Sequence, residues 1–486
     1  MIDLEVFPQR RARAARRARE RGVVVPTLAQ MKNPERIPAH IREKLRHTGL
    51  WEVAAQNLFR ITWKNEPVAE GGGFGGVNYI EFPRILTGVE ARILALVGKW
   101  FPTGAHKVGA AFGCLVPRLV TGQFDPTSQK AVWPSTGNYC RAGAFDCALL
   151  GCESVAVLPE GMSRERFEWL ARIAGEVIRT PGGESNVKEI FDRCAELRRS
   201  GRDLMVFNQF EDFGNYLWHY EVTGQAMAEV LARELGPKDV YRGLVLATGS
   251  AGTLAAGDYL KQVFPGSALA AVEALQCPTL LENGFGSHRI EGIGDKHVPW
   301  IHNVRNTDMV IAVDDEAVVR LARLFNEPAG RALLAARGVP EESVARLELL
   351  GFSGICNLVA AVKFARYNGF GAHDVVLTVL TDSMQLYGSR LAEMRAQEGD
   401  YDATDAAADY ARHLRGIASD HMLELDRRER RRIHNLKYFT WVEQQGRSCA
   451  ELEAQWHDPG YWAACRRQAG AIDALIEEFN ALAHAP

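Results

Sequence analysis

A chain of 486 residues with 47% apolar and 24% charged residues exceeds one simple domain and can bury a substantial core. The formal charge of −3 gives no drive toward nucleic acid or membrane, and no apolar run approaches the roughly 20 residues that span a bilayer. Nine scattered cysteines without a CxxC pair or a zinc-spaced Cys/His cluster, and no apolar signal-peptide core, lead to the expectation of a cytoplasmic protein with reduced thiols and no metal.

Residues 10–21 carry seven arginines among alanines, a helix whose apolar side is only alanine. Such a face gives too little burial for membrane insertion, so it reads as solvated or as an arm touching another subunit. The run Gly71-Gly72-Gly73-Phe74-Gly75-Gly76 marks a tight or flexible connection ahead of the core. From about residue 90, β-rich runs alternate with amphipathic stretches. Strands are expected at 93–97, 131–133, 154–158, 176–179, 204–207, 243–247, 269–272, 309–313 and 375–380. Helices are expected at 164–174, 187–199, 216–235 and 354–367. This alternation implies parallel sheets covered on both faces. The predicted organisation is an N-terminal helical extension (1–60), two open α/β domains (61–225 and 226–390) with a cleft between them, and a helical C-terminal extension (391–486). The extension's aromatics Tyr438, Phe439 and Trp441 are expected to cover the core or a partner, and a homodimer follows from that expectation.

Four segments carry chemistry. Pro102-Thr103-Gly104-Ala105-His106-Lys107 places one lysine behind a tight turn and ahead of an apolar helix. An amine held in a partly desolvated crevice suits Schiff-base chemistry, although a loop lysine is more often a surface charge. Ser135-Thr136-Gly137-Asn138 follows a short strand and opens a helix, offering donors to an anionic carboxylate. Thr248-Gly249-Ser250-Ala251-Gly252-Thr253 lies between a strand and a helix, where N–H groups and hydroxyls can close around a phosphate. Thr381-Asp382-Ser383 sits at the carboxyl end of the last core strand, where open α/β sheets bind ligands. Ser383 is the neighbour chosen to face a pyridine nitrogen. Each segment alone reads as an ordinary turn or cap; together they describe a pyridoxal phosphate pocket.

In this order the segments resemble the β-family, fold type II, of pyridoxal phosphate enzymes, particularly cysteine synthase and cystathionine β-synthase. The resemblance covers roughly 78–390. It is supported by Asn208-Gln209-Phe210 with Asn215, His219, Thr223 and Gly224, and by His288-Arg289-Ile290-Glu291-Gly292-Ile293-Gly294. It implies that Lys107 forms the Schiff base. Asn138 would meet the ring oxygen, Gly249, Ser250, Ala251, Gly252 and Thr253 the phosphate, and Ser383 the ring nitrogen. Ser135, Thr136, Gly137 and Gln209 would hold the substrate carboxylate, and Gly292 would lie at the mouth. Three departures stand out. The Gly-Ala-His-Lys stretch is closer to the tryptophan synthase β subunit, which gives His106 a possible reach to the phosphate. Ala251 replaces a glycine. Tyr139 replaces a smaller residue and is expected to narrow the substrate pocket.

The implied activity is β-elimination or β-replacement on a small amino acid through an aminoacrylate, with a thiol or sulfide as co-substrate. A serine/threonine dehydratase would use the same fold and lysine. A non-catalytic scaffold built on the retained fold is the rival of another class.

Overall fold

The β-rich runs pair into two sheets in a computed structural model that describes residues 1–184, 186–294 and 296–484. The strands are β1 (Tyr79–Phe82), β2 (Arg92–Val97), β3 (Lys130–Pro134), β4 (Glu153–Pro159), β5 (Glu176–Thr180), β6 (Leu204–Val206), β7 (Val240–Ala247), β8 (Ala268–Ala274), β9 (Met309–Val313), β10 (Asp374–Leu380) and β11 (Met422–Glu424). One sheet has the order β1-β2-β10-β7-β8-β9-β11 and the other β5-β4-β3-β6. All pairings are parallel except those of the two edge strands, β1 on β2 and β11 on β9. The inner strands β8, β9 and β10 are buried on both faces, which is why they read as continuous apolar runs. The chain therefore has the fold type II architecture that its motifs imply.

The linear partition at residue 225 needs correcting. β1 and β2 precede Lys107 in the chain yet lie beside β10 in the larger sheet, so residues 61–225 contribute to both sheets. The smaller sheet draws only on residues 130–206. Loops from both sheets meet at the carboxyl ends of β3, β7 and β10, the expected place for a ligand.

Helix Lys107–Thr121 runs beneath this junction. It lies so close to helix Phe213–Trp218 that a Cβ on Gly113 would sit 2.3 Å from the Gly214 carbonyl oxygen. Only glycine permits that crossing. The expected helix 216–235 is a continuous helical run from Phe213 to Glu234, with a π turn at His219–Thr223.

Both terminal extensions close onto this chain. Ala14, Ala15 and Ala18 of helix Pro8–Glu20 are buried, and the helix packs on Gln468–His484 and on the Lys107 helix. Arg11 pairs with Glu478 at 3.0 Å and Arg13 with Asp125 at 2.7 Å. Trp441 is fully buried and donates to the Val298 carbonyl at 2.8 Å. Trp462 packs against Phe213 and Tyr216. The buried Lys437 amine donates to the carbonyls of Trp300 and His302 and to Gln455. Of the aromatic patch only Tyr438 and Phe439 remain exposed. Of the three aromatics behind the expectation of a homodimer, the chain itself covers Trp441 and leaves Tyr438 and Phe439 at the surface. Among the described residues no helix is long and apolar enough to cross a membrane.

Candidate active site

Lys107 is delivered by a strained turn. Thr103 (φ 65°) and Gly104 (φ 71°) both occupy the left-handed region, which costs a non-glycine residue roughly 1–2 kcal/mol. The turn is held from the opposite side, where the His106 N–H donates to the Thr381 carbonyl at 3.3 Å. Lys107, half-buried at the first position of its helix, donates from Nζ to Gln209 Oε1 at 3.2 Å and to Ser250 Oγ at 3.1 Å. Three sequence-distant segments thus converge on one amine. His106 takes a packing part. Its ring lies between Trp63 and His219, Nε2 faces Thr381 Oγ1, and burial pushes the imidazole down to about 3.

The loop 249–253 has the form of an anion cradle. The N–H groups of Gly249 through Thr253 have no hydrogen-bond acceptor among the described residues, and they precede helix Leu254–Val263. Consecutive uncommitted donors at a helix N-terminus match the needs of a phosphate. Gly252 must lack a side chain, since a Cβ there would lie 2.1 Å from Asn215 Oδ1. Ala251 adopts φ 61°, so the loop accommodates its Cβ at the cost of backbone strain. Asn215 braces the loop by donating to Ser250 Oγ and to the Gln209 carbonyl, both at 3.0 Å. The loop 288–294 closes alongside, with the Gly294 N–H donating to the Thr248 carbonyl at 2.7 Å and Gly292 at φ 97°.

Opposite lies a different surface. Ser135 Oγ accepts from the Gly137 N–H at 3.1 Å and from Gln209 Nε2 at 3.4 Å, so Gln209 bridges Lys107 and the Ser135 loop. Asn138 donates to Asp382 Oδ2 at 2.6 Å, and the Tyr387 hydroxyl donates to the same oxygen at 2.6 Å. Asp382 is thereby committed, while the buried Ser383 hydroxyl has no partner among the described residues. Burial raises the Asp382 carboxyl above the usual aspartate range, and the two hydrogen bonds oppose that rise. Buried Arg166 donates to the Thr136 carbonyl at 3.0 Å and to Tyr387 at 3.1 Å, and pairs with Glu291 at 2.8 Å. Arg390 reaches Glu291 from the other direction at 2.5 Å. The Thr136 hydroxyl donates to Glu184. A cavity of about 300 Å³ adjoins this network, lined in part by Met162, Glu184, Glu291, Phe352 and Arg390.

The four segments that carry chemistry and the motifs at Gln209 and at 288–294 thus meet at the junction, with one correction of role. Tyr139 is buried with its ring 5.3 Å from that of Trp133, and its hydroxyl lies beside Cys114. Cys114 is seven positions along the helix from Lys107, roughly 10 Å away at 1.5 Å per residue. The ring therefore belongs to the core of the smaller domain and does not narrow a pocket. Arg166, Glu184, Glu291, Asn215 and Tyr387 were not recognised as site residues from sequence. Glu291 and Asn215 lay inside the noted motifs. Arg166 and Glu184 had no comparable signal.

A family model described as pyridoxal-phosphate dependent enzyme matches residues 73–382. Among curated relatives, a cysteine synthase of Staphylococcus aureus (strain Mu50 / ATCC 700699) is 26% identical over 314 residues, covering 64% of this chain and 93% of the relative. Cysteine synthase B of Campylobacter jejuni is 28% identical over 287 residues, covering 59% and 86%. Among solved structures, an O-acetylserine dependent cystathionine β-synthase from Helicobacter pylori superposes with a TM-score of 0.53 at 24% identity, covering 64% of this chain and 94% of that one. A cysteine synthase from Entamoeba histolytica gives 0.56 at 20% identity, covering 70% and 93%.

Proposed function

Since this chain belongs to the pyridoxal-phosphate dependent enzyme family, we propose that it replaces the β-substituent of a small, activated amino acid with a thiol or sulfide. The observation that carries the reading is the convergence on Lys107. Its amine contacts Gln209 and Ser250, at the foot of five uncommitted N–H donors and within reach of the Ser135 loop. The relatives named cysteine synthase support the same reaction class.

Pyridoxal phosphate, when bound, supplies an electron sink for a bond broken at an amino-acid α-carbon. The N–H groups of Gly249, Ser250, Ala251, Gly252 and Thr253 would hold its phosphate, with Asn215 fixing the loop from behind. Asn138 would orient the ring oxygen, and the Ser383 hydroxyl would face the ring nitrogen as a neutral partner. Ser135, Thr136, Gly137 and Gln209 would bind the substrate carboxylate, close to the Lys107 amine that Gln209 already touches. Lys107 takes the α-proton as a neutral amine and returns it as an ammonium. Gly292, on the loop tied to Thr248, would bound the mouth and help exclude water.

Cofactor-loaded protein supplied with O-acetylserine and sulfide should form cysteine, with little keto acid. Conversion of free serine or threonine to a keto acid without a second substrate would instead assign it as a dehydratase. An inability to retain the cofactor would point to the scaffold.

A further inference from the structure

One donor of the proposed carboxylate loop is already in use. The Thr136 hydroxyl donates to Oε1 of Glu184, a side chain only 5% exposed on the segment between β5 and helix Val187–Arg199. Glu184 Oε2 has no hydrogen-bond partner among the described residues. The cation that acts on it is Arg166, whose guanidinium is divided among the Thr136 carbonyl, Tyr387 and Glu291. Glu291 faces Glu184 as a second acid from the loop 288–294. The remaining charges around the adjoining cavity are paired: Arg390 with Glu291 and Glu393, Arg289 with Asp315 and Glu316, and Glu398 with Arg320 and Arg323. His288 is held toward its neutral form by burial.

A hydroxyl has one proton to give. While an ionised Glu184 accepts it, Thr136 presents only lone pairs to an arriving carboxylate, with a second negative charge directly behind. A proton on Glu184 reverses the direction: the carboxyl donates to Thr136 Oγ1, and the hydroxyl turns its own proton toward the substrate. We propose that Glu184 is a positioning residue that takes up one proton from solvent as the substrate carboxylate binds, and thereby aims the Thr136 hydroxyl at it. No bond to the substrate forms or breaks in this step. Burial pushes the Glu184 carboxyl up to about 7, with Arg166 pulling the other way, so the uptake falls within the neutral range. The inference rests on the reading of Ser135, Thr136 and Gly137 as the carboxylate loop.

The test is isothermal titration of the holoenzyme with L-alanine, which has no β-leaving group, at pH 8 in buffers of differing ionisation enthalpy. Wild type should take up close to one proton more than Glu184→Gln, because a glutamine amide donates permanently to Thr136 Oγ1. In steady-state assays wild-type KM should rise about tenfold per pH unit above neutrality while kcat holds. Glu184→Gln should show a flat KM and the lower value of the two at pH 8.5. Thr136→Val, which removes the relayed hydroxyl, should lose the same pH dependence, and it serves if the glutamine variant does not fold. Equal proton uptake in wild type and variants, or parallel KM profiles, would overturn the proposal while leaving the carboxylate loop intact. Failure of alanine to perturb the cofactor absorbance of the loaded wild type would overturn the loop assignment and the proposal together.

Discussion

At the ends of β7 and β10, the cleft presents backbone N–H groups, small side chains and the uncommitted Ser383 hydroxyl. Across from it, the segments after β3 and β4 present Thr136, Asn138 at a helix start and Arg166 in the helix Arg164–Ile173, each already bonded to a protein partner. The first wall is organised by conformation, with Ala251 held at positive φ to expose donors. The second is organised by buried charge, with Arg166, Glu291 and Arg390 in one chain of contacts. The difference fits the ligands proposed for the phosphate loop and for Thr136, while Asn138 would serve the cofactor ring from the second wall. A permanent phosphate needs donors that stand ready, whereas a substrate that comes and goes can exchange with internal bonds.

Substitutions should separate the two walls by the size and kind of their effects. Arg166→Met should be the most damaging, because it leaves buried Glu291 with Arg390 alone and removes the support of Thr136 and Tyr387. Breaking a buried pair in this way costs about 3–5 kcal/mol, readable by urea unfolding. Tyr139→Thr should lose about 3 kcal/mol through its vacated ring volume while leaving kcat/KM ratios between competing amino acids unchanged. A shift in those ratios at unchanged stability would return Tyr139 to the pocket. Asp382→Asn should cost about 1–3 kcal/mol, since Asn138 and Tyr387 lose a charged acceptor. Ser383→Asp should instead change the cofactor absorbance, and the reverse pattern would exchange the roles of the two neighbours. On the conformational wall, Ala251→Gly should stabilise by about 0.5–1 kcal/mol, as relief of left-handed strain outweighs the entropy of glycine. A loss of stability there would mean that the methyl group packs favourably enough to offset its backbone strain.

The same contrast marks what could be read in the sequence. β2, β7, β8, β9 and β10 announce themselves as largely apolar runs bounded by turn residues, because most of their positions are buried, with Glu273 and Thr378 the buried polar exceptions in β8 and β10. The edge strands β1 and β11, of four and three residues, carry no such signature. The placement of β2 beside β10 is a long-range pairing that no local pattern encodes. In the site, the wall of small residues proposed for the cofactor was legible because glycine, serine and threonine at a strand end report backbone conformation directly. The charged wall was not. Arg166 lies in a helix that also carries Glu165, Glu168 and Arg172, and in sequence it looks like one more residue of a solvated face. Tyr139 follows Asn138, but successive helical positions are rotated by about 100°, which turns the ring toward Trp133. The arginine helix misled in the opposite direction, because its alanine stripe is enough for close packing on the chain's own last helix.

Lys107 is the amine to which the cofactor is expected to be joined. Borohydride reduction of cofactor-loaded protein, followed by proteolysis and mass spectrometry of the peptides, tests it most directly. The pyridoxyl mass should appear on the peptide that carries Lys107 and disappear in Lys107→Ala. A pyridoxyl group found on another lysine of the native protein, or on none, would contradict the account.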